Sequence, residues 1–213
     1  VARLRPTVFL AAVGLFVLCA THVISAVVLD HFPRDVDDFA RLFQARVFAS
    51  GRFYVDAPLV PEAFRVNHVV VRDGRMYARY EPGSPLFYAL GEVLFGSPWA
   101  VNPLLGAGTL LLLYGALRRF YPEAVVRLTL VLLCCSPFFL FLTSSLLSHV
   151  ATLFLLSLTL LFFARSDLKP REYALSGLSL GLATLTRMYT SVLFGLPLVI
   201  YLVLVGRGLR QAL

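Results

Sequence analysis

The chain has 213 residues, of which 59% are apolar and only 15% are charged, whereas a soluble domain carries roughly 25% charged residues. This composition excludes an ordinary soluble domain and indicates a polytopic membrane protein. The formal net charge of +7 does not indicate a nucleic-acid partner, because the basic residues lie between apolar runs and form no single patch.

The first apolar run covers residues 7–29 and is interrupted only by His22. A helix needs about twenty apolar residues to cross a membrane, so this run predicts the first span. Arg3 and Arg5 precede it as in a signal peptide, but no small-residue cleavage signal closes the run. The pattern therefore predicts an uncleaved signal anchor.

A balanced, water-facing loop follows at residues 30–84, with eight arginines and eight acidic residues between Asp30 and Glu81. From residue 36 onward, apolar residues recur at helical spacing until Gly51. They are Val36, Phe39, Leu42, Phe43 and Val47, and Asp37, Arg41 and Gln44 form the opposite stripe. This periodicity predicts an amphipathic helix that lies on the membrane surface.

The same loop contains a second readable pattern. Segments 67–72 and 75–80 flank the pair Asp73 and Gly74. Asp-Gly suits a two-residue type I′ turn, so the pattern predicts a short β-hairpin.

After the loop, apolar character returns in several runs. Residues 85–98 form a short run that contains Glu92, which is typical of an interfacial or re-entrant segment. Polar breaks at 143–149 and near Arg187 divide the rest into shorter pieces. Further spans are predicted at 99–117, 124–142, 149–164, 173–186 and 190–205. The predicted fold is an all-α polytopic membrane protein with about six transmembrane helices and a first outer loop that holds an amphipathic helix and a short β-hairpin.

Basic residues of the short loops set the orientation, because lysine and arginine favour the cytoplasmic side. In the six-span model they fall on one side: Arg3, Arg5, Arg118, Arg119, Arg127, Arg165, Lys169, Arg171, Arg207 and Arg210. The prediction is a multi-pass protein of the cell (inner) membrane with a cytoplasmic N-terminus. The loop 30–84 and Arg187 are then on the non-cytoplasmic side.

An acidic cluster, Asp35, Asp37 and Asp38, stands at the start of the amphipathic helix. A carboxylate at the membrane boundary can act as a general base. The same residues also suit a structural role, because acids favour helix N-termini and Asp37 with Arg41 has the spacing of an ordinary i,i+4 ion pair. The residues alone leave both interpretations open.

The order of features resembles the glycosyltransferase-C superfamily. In this chain the features, in order, are a first span, the pair Asp37-Asp38 at the start of a helix, the segment Tyr80-Glu-Pro-Gly83 and the segment Gly96-Ser-Pro-Trp99. The chain looks most like bacterial protein O-mannosyltransferases and the lipid A aminoarabinose transferase. These enzymes carry an acidic pair, commonly Asp-Glu, in the first outer loop. The resemblance implies that Asp37 is the first acid and Asp38 the second, which here departs from Glu.

This resemblance implies an activity: transfer of a sugar from a polyprenyl-phosphate carrier to a lipid, glycan or protein acceptor at the non-cytoplasmic face. Asp37 would be the base of a single, inverting displacement. The segment Gly181 to Arg187 also looks like a family stretch. A cation at headgroup depth stabilises a leaving phosphate, so Arg187 is a candidate phosphate ligand, although an arginine at a helix end can also snorkel to the interface.

Three more residues are candidates for binding substrate or lipid phosphate: Arg79, Tyr80 and His149. Each also has a structural interpretation. Arg79 suits a solvated arginine, Tyr80 suits a turn that redirects the chain into the bilayer, and His149 suits an ordinary polar histidine. No cofactor is assigned. Some relatives of the superfamily use a divalent metal near the acidic pair, but no complete ligand set is visible in this sequence.

Two other classes remain open. A transporter or flippase-like carrier is expected to show internal repeats and polar groups at mid-membrane, and neither is evident. A structural subunit would bind partners through the outer loop. Residues 1–213 are interpreted as the N-terminal membrane part of a glycosyltransferase-C-like domain, truncated at the C-terminus, and such a fragment could lack acceptor-binding parts and be inactive alone.

Overall fold

A computed structural model describes residues 4–60, 63, 66–165 and 169–212, with side chains described up to residue 204. Arg3 lies outside the described residues, as do the side chains of Arg207 and Arg210. The described chain is mainly helical, with a small sheet. Its helices are α1 (Pro6–Val23), α2 (Val36–Ala49), α3 (Gly83–Phe95), α4 (Val101–Leu117), α5 (Glu123–Cys134), α6 (Pro137–Ser144), α7 (His149–Arg165), α8 (Pro170–Thr184) and α9 (Met188–Ala212). Its strands are β1 (Val55–Asp56), β2 (Val69–Arg72) and β3 (Arg75–Ala78).

Two helices of the described chain are long and apolar enough to cross a membrane. They are Pro6–Val28, which is α1 with a terminal π-helical turn, and Pro98–Leu117, with mean hydropathies of 2.3 and 1.5. The bent pair α5 and α6 would be a third span if it crosses as one unit. The helical membrane architecture is confirmed at this level, and the count of about six spans stays a prediction.

The segment 124–142, expected as one helix, is two helices that meet at an angle of 60°. Pro137 has no backbone N–H to continue the ladder of α5. Ser136 instead caps a new helix, because its side chain accepts a hydrogen bond from the backbone N–H of Phe139 at 3.4 Å. The sequence analysis missed this break.

The other two predicted breaks are confirmed. Helix α6 ends at Ser144 and α7 begins at His149, while α8 ends at Thr184 and α9 begins at Met188. The first of these turns is held from α4 by Asn102, whose side-chain amide donates to the carbonyl oxygens of Ser145 (2.6 Å) and Leu147 (3.2 Å).

Replacing Asn102 by Leu is expected to lower the free energy of unfolding by about 1 to 3 kcal/mol, because the Ser145 carbonyl loses its side-chain donor and the Leu147 carbonyl keeps only that of the Tyr88 hydroxyl. The measurement is the thermal or denaturant midpoint of the purified protein. Thr109→Ala is the matched control on the same helix, since the Thr109 hydroxyl donates to the Leu105 carbonyl of its own turn. Equal midpoints for the two variants would contradict this role.

Helix α2 confirms the predicted amphipathic helix. Asp35 caps its N-terminus by accepting a hydrogen bond from the backbone N–H of Asp37 at 2.9 Å, and Gly51 follows its end with a φ of 75°. Its polar stripe is the buried one: Arg41 is 5% exposed and Gln44 is 4% exposed, while Phe39 on the other side is exposed. Other parts of the same loop cover this stripe: Arg41 packs on the Tyr80 ring, and the Gln44 side chain hydrogen-bonds to the Phe53 carbonyl oxygen and the Ala78 N–H.

The predicted hairpin is confirmed as β2 and β3. Asp73 (φ 51°) and Gly74 (φ 71°) form its turn, with both residues in the left-handed conformation that a type I′ turn requires. Strand β1, which the sequence analysis did not predict, pairs antiparallel with β3, so the order is β1-β3-β2. Gln44 of α2 accepts a hydrogen bond from the backbone N–H of Ala78 (2.8 Å) and joins this sheet to the helix.

At the opposite end of the helices, an ion cluster joins α4 to α5. Glu123 accepts hydrogen bonds from Arg118, Arg127 and Tyr114, and the Arg127 guanidinium lies 5.1 Å from the ring centroid of Phe9 on α1. The sequence analysis counted Arg127 among the basic residues of the loops. It lies instead within α5 and is 4% exposed, because Glu123 one turn earlier neutralises its charge.

Candidate functional site

A polar cavity of about 210 Å³ lies where α2, the chain leading into α3 and the α8–α9 turn meet. It brings together three of the residues singled out from the sequence, Asp37, Tyr80 and Arg187. The remaining lining residues are Arg41, Glu81, Ser148, Thr186, Met188, Tyr189 and Thr190. Asp37 of the loop 30–84 and Arg187 of the α8–α9 turn therefore line one cavity, although 150 positions separate them in the chain.

The carboxylate of Asp37 is surrounded by donors. The Tyr80 hydroxyl donates a hydrogen bond to it. Arg41 forms an ion pair with it at 3.3 Å, and the His68 Nε2 atom lies 3.7 Å from its Oδ1 atom. Burial raises the pKa of Asp37, but the Tyr80 hydrogen bond and the charges of Arg41 and His68 outweigh burial and bring the pKa below its ordinary value. Asp37 is therefore ionised at neutral pH.

The Tyr80 hydroxyl is held in its protonated, donating form. Burial and the hydrogen bond to Asp37 raise the pKa of Tyr80 to about 12. Its ring packs on the guanidinium of Arg41, with 4.4 Å between the guanidinium carbon and the ring centroid. Tyr80 and Arg41 thus fix the carboxylate from two directions.

Arg41 belongs to the site, although the sequence analysis treated it only as a possible partner of Asp37. Its Nε atom is buried and has no hydrogen-bond partner among the described residues. The signal was the i,i+4 spacing, which places both side chains on one face of α2. That spacing predicts the ion pair but not the cavity, since the cavity depends on α9. Glu81, Ser148 and Thr186 were missed for the same reason.

Arg187 contacts a second predicted residue. Its Nη1 atom lies 2.7 Å from the Nε2 atom of His149 at the start of α7. Because a guanidinium only donates, His149 accepts this bond as a neutral imidazole. His149 does not line the polar cavity, but its ring contacts the guanidinium of Arg187, which does.

Arg187, His149 and Thr190 also line an apolar groove of about 310 Å³ on the other side of the turn. The groove walls come mainly from α6 and α7 and include Phe138, Phe139, Leu142, Val150, Leu153 and Leu156. Arg187 and Thr190 thus form the boundary between a polar cavity and an apolar groove.

Glycine at position 83 makes this arrangement possible. The Gly83 backbone N–H donates to the Leu185 carbonyl oxygen at 2.7 Å. A Cβ atom at residue 83 would lie 2.5 Å from that oxygen and 2.6 Å from the Thr186 Cγ2 atom. Only glycine fits there, so the chain carrying Tyr80 can dock directly onto the turn carrying Arg187.

Two predicted residues lie elsewhere. Asp38 is 3% exposed and does not line the cavity. Burial raises the pKa of Asp38 to about 6, against the opposing charge of Arg41. Arg79 is exposed, and its backbone N–H donates to the His68 carbonyl oxygen at 3.0 Å as an extension of the hairpin. The structure therefore separates the two acids of the pair.

The described residues around the cavity do not form a set of metal ligands. Across residues 4–60, 63, 66–165 and 169–212, no group of three or more histidine, cysteine, aspartate or glutamate side chains is arranged to hold an ion. The donors around Asp37 are mostly arginine and tyrosine, which are poor ligands for a divalent cation.

Comparison with known proteins identifies a family. Residues 82–213 match the family model described as dolichyl-phosphate-mannose-protein mannosyltransferase. The match includes Arg187 and His149, whereas Asp37 and Tyr80 precede it. No curated protein and no solved structure matches the chain.

Proposed function

We propose that this chain, which belongs to the dolichyl-phosphate-mannose-protein mannosyltransferase family, transfers a sugar from a polyprenyl-phosphate carrier to an acceptor at the non-cytoplasmic face of a membrane. The family and the apolar helices establish a membrane protein of glycosyltransferase type. The observation that carries the finer proposal is the position of Arg187, between a polar cavity that contains Asp37 and an apolar groove.

A lipid-linked donor has two parts that need different surroundings. Its isoprenoid chain is apolar and suits the groove between α6 and α7, while its phosphate needs a cation and hydrogen-bond donors. Arg187 stands where the two parts of such a donor join. His149 accepts a bond from the guanidinium and keeps it oriented towards that point.

Asp37 supplies the base in the proposed reaction. The acceptor oxygen forms a bond to the anomeric carbon while the bond between that carbon and the phosphate oxygen breaks. The acceptor proton passes to the Asp37 carboxylate, and the polyprenyl phosphate leaves with the electron pair of the broken bond. One displacement inverts the anomeric centre.

The surroundings of Asp37 serve this reaction by holding the carboxylate ionised and correctly placed. Tyr80 and Arg41 fix its position, and Arg187 stabilises the charge that develops on the leaving phosphate. We assign Asp38 a positioning role, because it is a buried residue of α2 and does not line the cavity. In this proposal the N-terminus is cytoplasmic and the loop 30–84 is outside.

The donor class can be tested with the full-length protein in lipid vesicles. Labelled mannose is supplied either as polyprenyl-phosphate mannose or as the nucleotide sugar, and label is measured in the acceptor together with the configuration of the new bond. We expect transfer from the lipid donor only, with inversion. Transfer from the nucleotide sugar, or retention of configuration, would contradict the proposal.

A further inference from the structure

A second cavity, of about 580 Å³, lies against α2, and we call it the aromatic pocket. Six residues of the helix line it: Phe39, Leu42, Phe43, Arg46, Val47 and Ser50. At about 3.6 residues per turn these side chains share one face of α2, while Asp37 and Arg41 of the polar cavity lie on the opposite face. Helix α2 therefore stands between the two cavities, and no described residue lines both of them.

The aromatic pocket lies at the ends of the two long apolar helices. His31 and Phe32 line it shortly after the helix Pro6–Val28, and Trp99 lines it at the start of the helix Pro98–Leu117. The ring centroids of His31 and Trp99 are 5.7 Å apart, so these two helix ends are in contact at the pocket. Tryptophan is enriched where a span leaves the hydrocarbon. In a bilayer crossed by these helices, the pocket therefore lies at headgroup depth.

A sharp turn after the first helix forms one wall of the pocket. Asp30 and His31 both have left-handed backbones, with φ of 53° and 48°, which is uncommon for residues other than glycine. The His31 N–H donates to the Ser25 carbonyl oxygen at 2.9 Å and holds this turn. Phe32 then packs edge-to-face on Phe39 of α2, with 5.4 Å between ring centroids. The turn thus brings the end of the first helix against α2.

The lining combines exposed aromatic rings with a positive charge. Phe32 is 53% exposed and Phe39 is 39% exposed. Arg46 contributes a guanidinium, which has no ion-pair or hydrogen-bond partner among the residues that the structure describes. No acidic residue is among the described residues that line the pocket. Pockets of about 300 to 1,000 Å³ with mainly apolar walls and a few polar groups hold small ligands. The ligand that suits this lining has an apolar body and a negative charge.

We infer that the aromatic pocket binds a membrane phospholipid with an anionic headgroup, whose phosphate contacts Arg46 and whose acyl chain packs on Phe32 and Phe39. Basic groups at headgroup depth attract such lipids, and a guanidinium forms charge-assisted hydrogen bonds with phosphate. This lipid is distinct from a sugar donor, because the phosphate of a reacting donor lies across α2, beside Asp37 and Arg187. The bound lipid joins α2 to the ends of both apolar helices. The inference requires that these helices span a membrane and does not use the proposed reaction.

Trp99 provides a direct readout, because it lines the pocket and is the single tryptophan of the 213 residues. The full-length protein is placed in phosphatidylcholine vesicles that contain increasing fractions of either brominated phosphatidylglycerol or brominated phosphatidylcholine. Bromine quenches tryptophan fluorescence on contact, and the Trp99→Phe variant gives the background. We expect half-maximal quenching at an about fivefold lower fraction of the anionic lipid, the usual effect of one arginine near anionic headgroups. Arg46→Gln should remove this preference.

Arg34→Gln is the matched control, since Arg34 is an exposed arginine of the same loop that pairs with Asp30 at 2.8 Å and does not line the pocket. It should keep the preference for the anionic lipid. Arg46→Lys should also keep most of it, which separates loss of charge from loss of folding. Equal quenching by the two lipids in the native protein, or equal losses in Arg34→Gln and Arg46→Gln, would overturn the inference. Recovery of Trp99 fluorescence on addition of polyprenyl phosphate would also overturn it, by assigning the pocket to the donor.

Discussion

Replacing Asp37 by Asn should lower kcat for sugar transfer by a factor of about 10² to 10⁴, the usual contribution of a positioned general base. Asparagine keeps the size of the side chain and can still accept a hydrogen bond from Tyr80, but it cannot take the acceptor proton. The expected loss is therefore in kcat, with donor binding little changed. Labelled sugar transfer by the full-length protein, measured over a range of donor concentrations, separates the two parameters.

Asp73→Asn is the matched control for this variant. It makes the same chemical change in the same loop, but Asp73 is exposed at the hairpin turn, where its left-handed backbone also suits asparagine. We expect Asp73→Asn to retain normal activity. Near-normal transfer by Asp37→Asn would remove Asp37 as the base.

The pH profile should follow from the surroundings of the carboxylate. The pKa of Asp37 lies below its ordinary value of 3.8, so its ionised fraction stays high as the pH falls from 7 to about 5. Tyr80→Phe removes a hydrogen bond that favours the ionised form, which raises the pKa of Asp37 and moves the acid limb of kcat to higher pH. A limb near pH 6 that disappears in Asp38→Asn would instead assign the titration to Asp38.

Replacing Arg187 by Gln should reduce kcat/KM for the lipid-linked donor by about 10² to 10³, because the leaving phosphate loses its principal cation. Arg187→Lys should recover only part of this loss, since lysine keeps the charge but lacks the planar fork of donors. Transfer from polyprenyl-phosphate sugar is the measurement. Unlike Asp37→Asn, this variant should also weaken donor binding.

Arg79→Gln is the control for Arg187, because Arg79 is exposed and does not line the cavity. The sequence analysis named both arginines as phosphate ligands. Equal losses for the two variants would show that general positive charge in this region, and not the position of Arg187, supports activity.

Local signals in the sequence predicted much of the fold. The Asp73-Gly74 pair predicted the hairpin because few residues tolerate two successive left-handed conformations, and Gly51 predicted where α2 ends. Arg187 predicted a break between two apolar helices, because a charged side chain is costly within a lipid-exposed helix. Each of these features depends on only a few neighbouring residues.

Features that depend on distant partners were missed. The bend at Ser136 had a local cause in Pro137, but a run of apolar residues on both sides concealed it. Strand β1 has only two residues and exists because β3 pairs with it. The polar stripe of α2 was recognised, but the burial of Gln44 depends on its hydrogen bond with Ala78, 34 residues later in the chain. Asp37 and Arg187 were assigned to one reaction as base and phosphate ligand, but the contact that brings them together, between Gly83 and the α8–α9 turn, has no local signal in the sequence.

The close contact at Gly83 sets the distance between two walls of the cavity. The N–H of residue 83 bonds the Leu185 carbonyl, and no room remains for a methyl group. The start of α3 and the α8–α9 turn are therefore in direct backbone contact. Even alanine would act there as a wedge, driving the acid and the cation apart while leaving every polar residue of the cavity chemically intact.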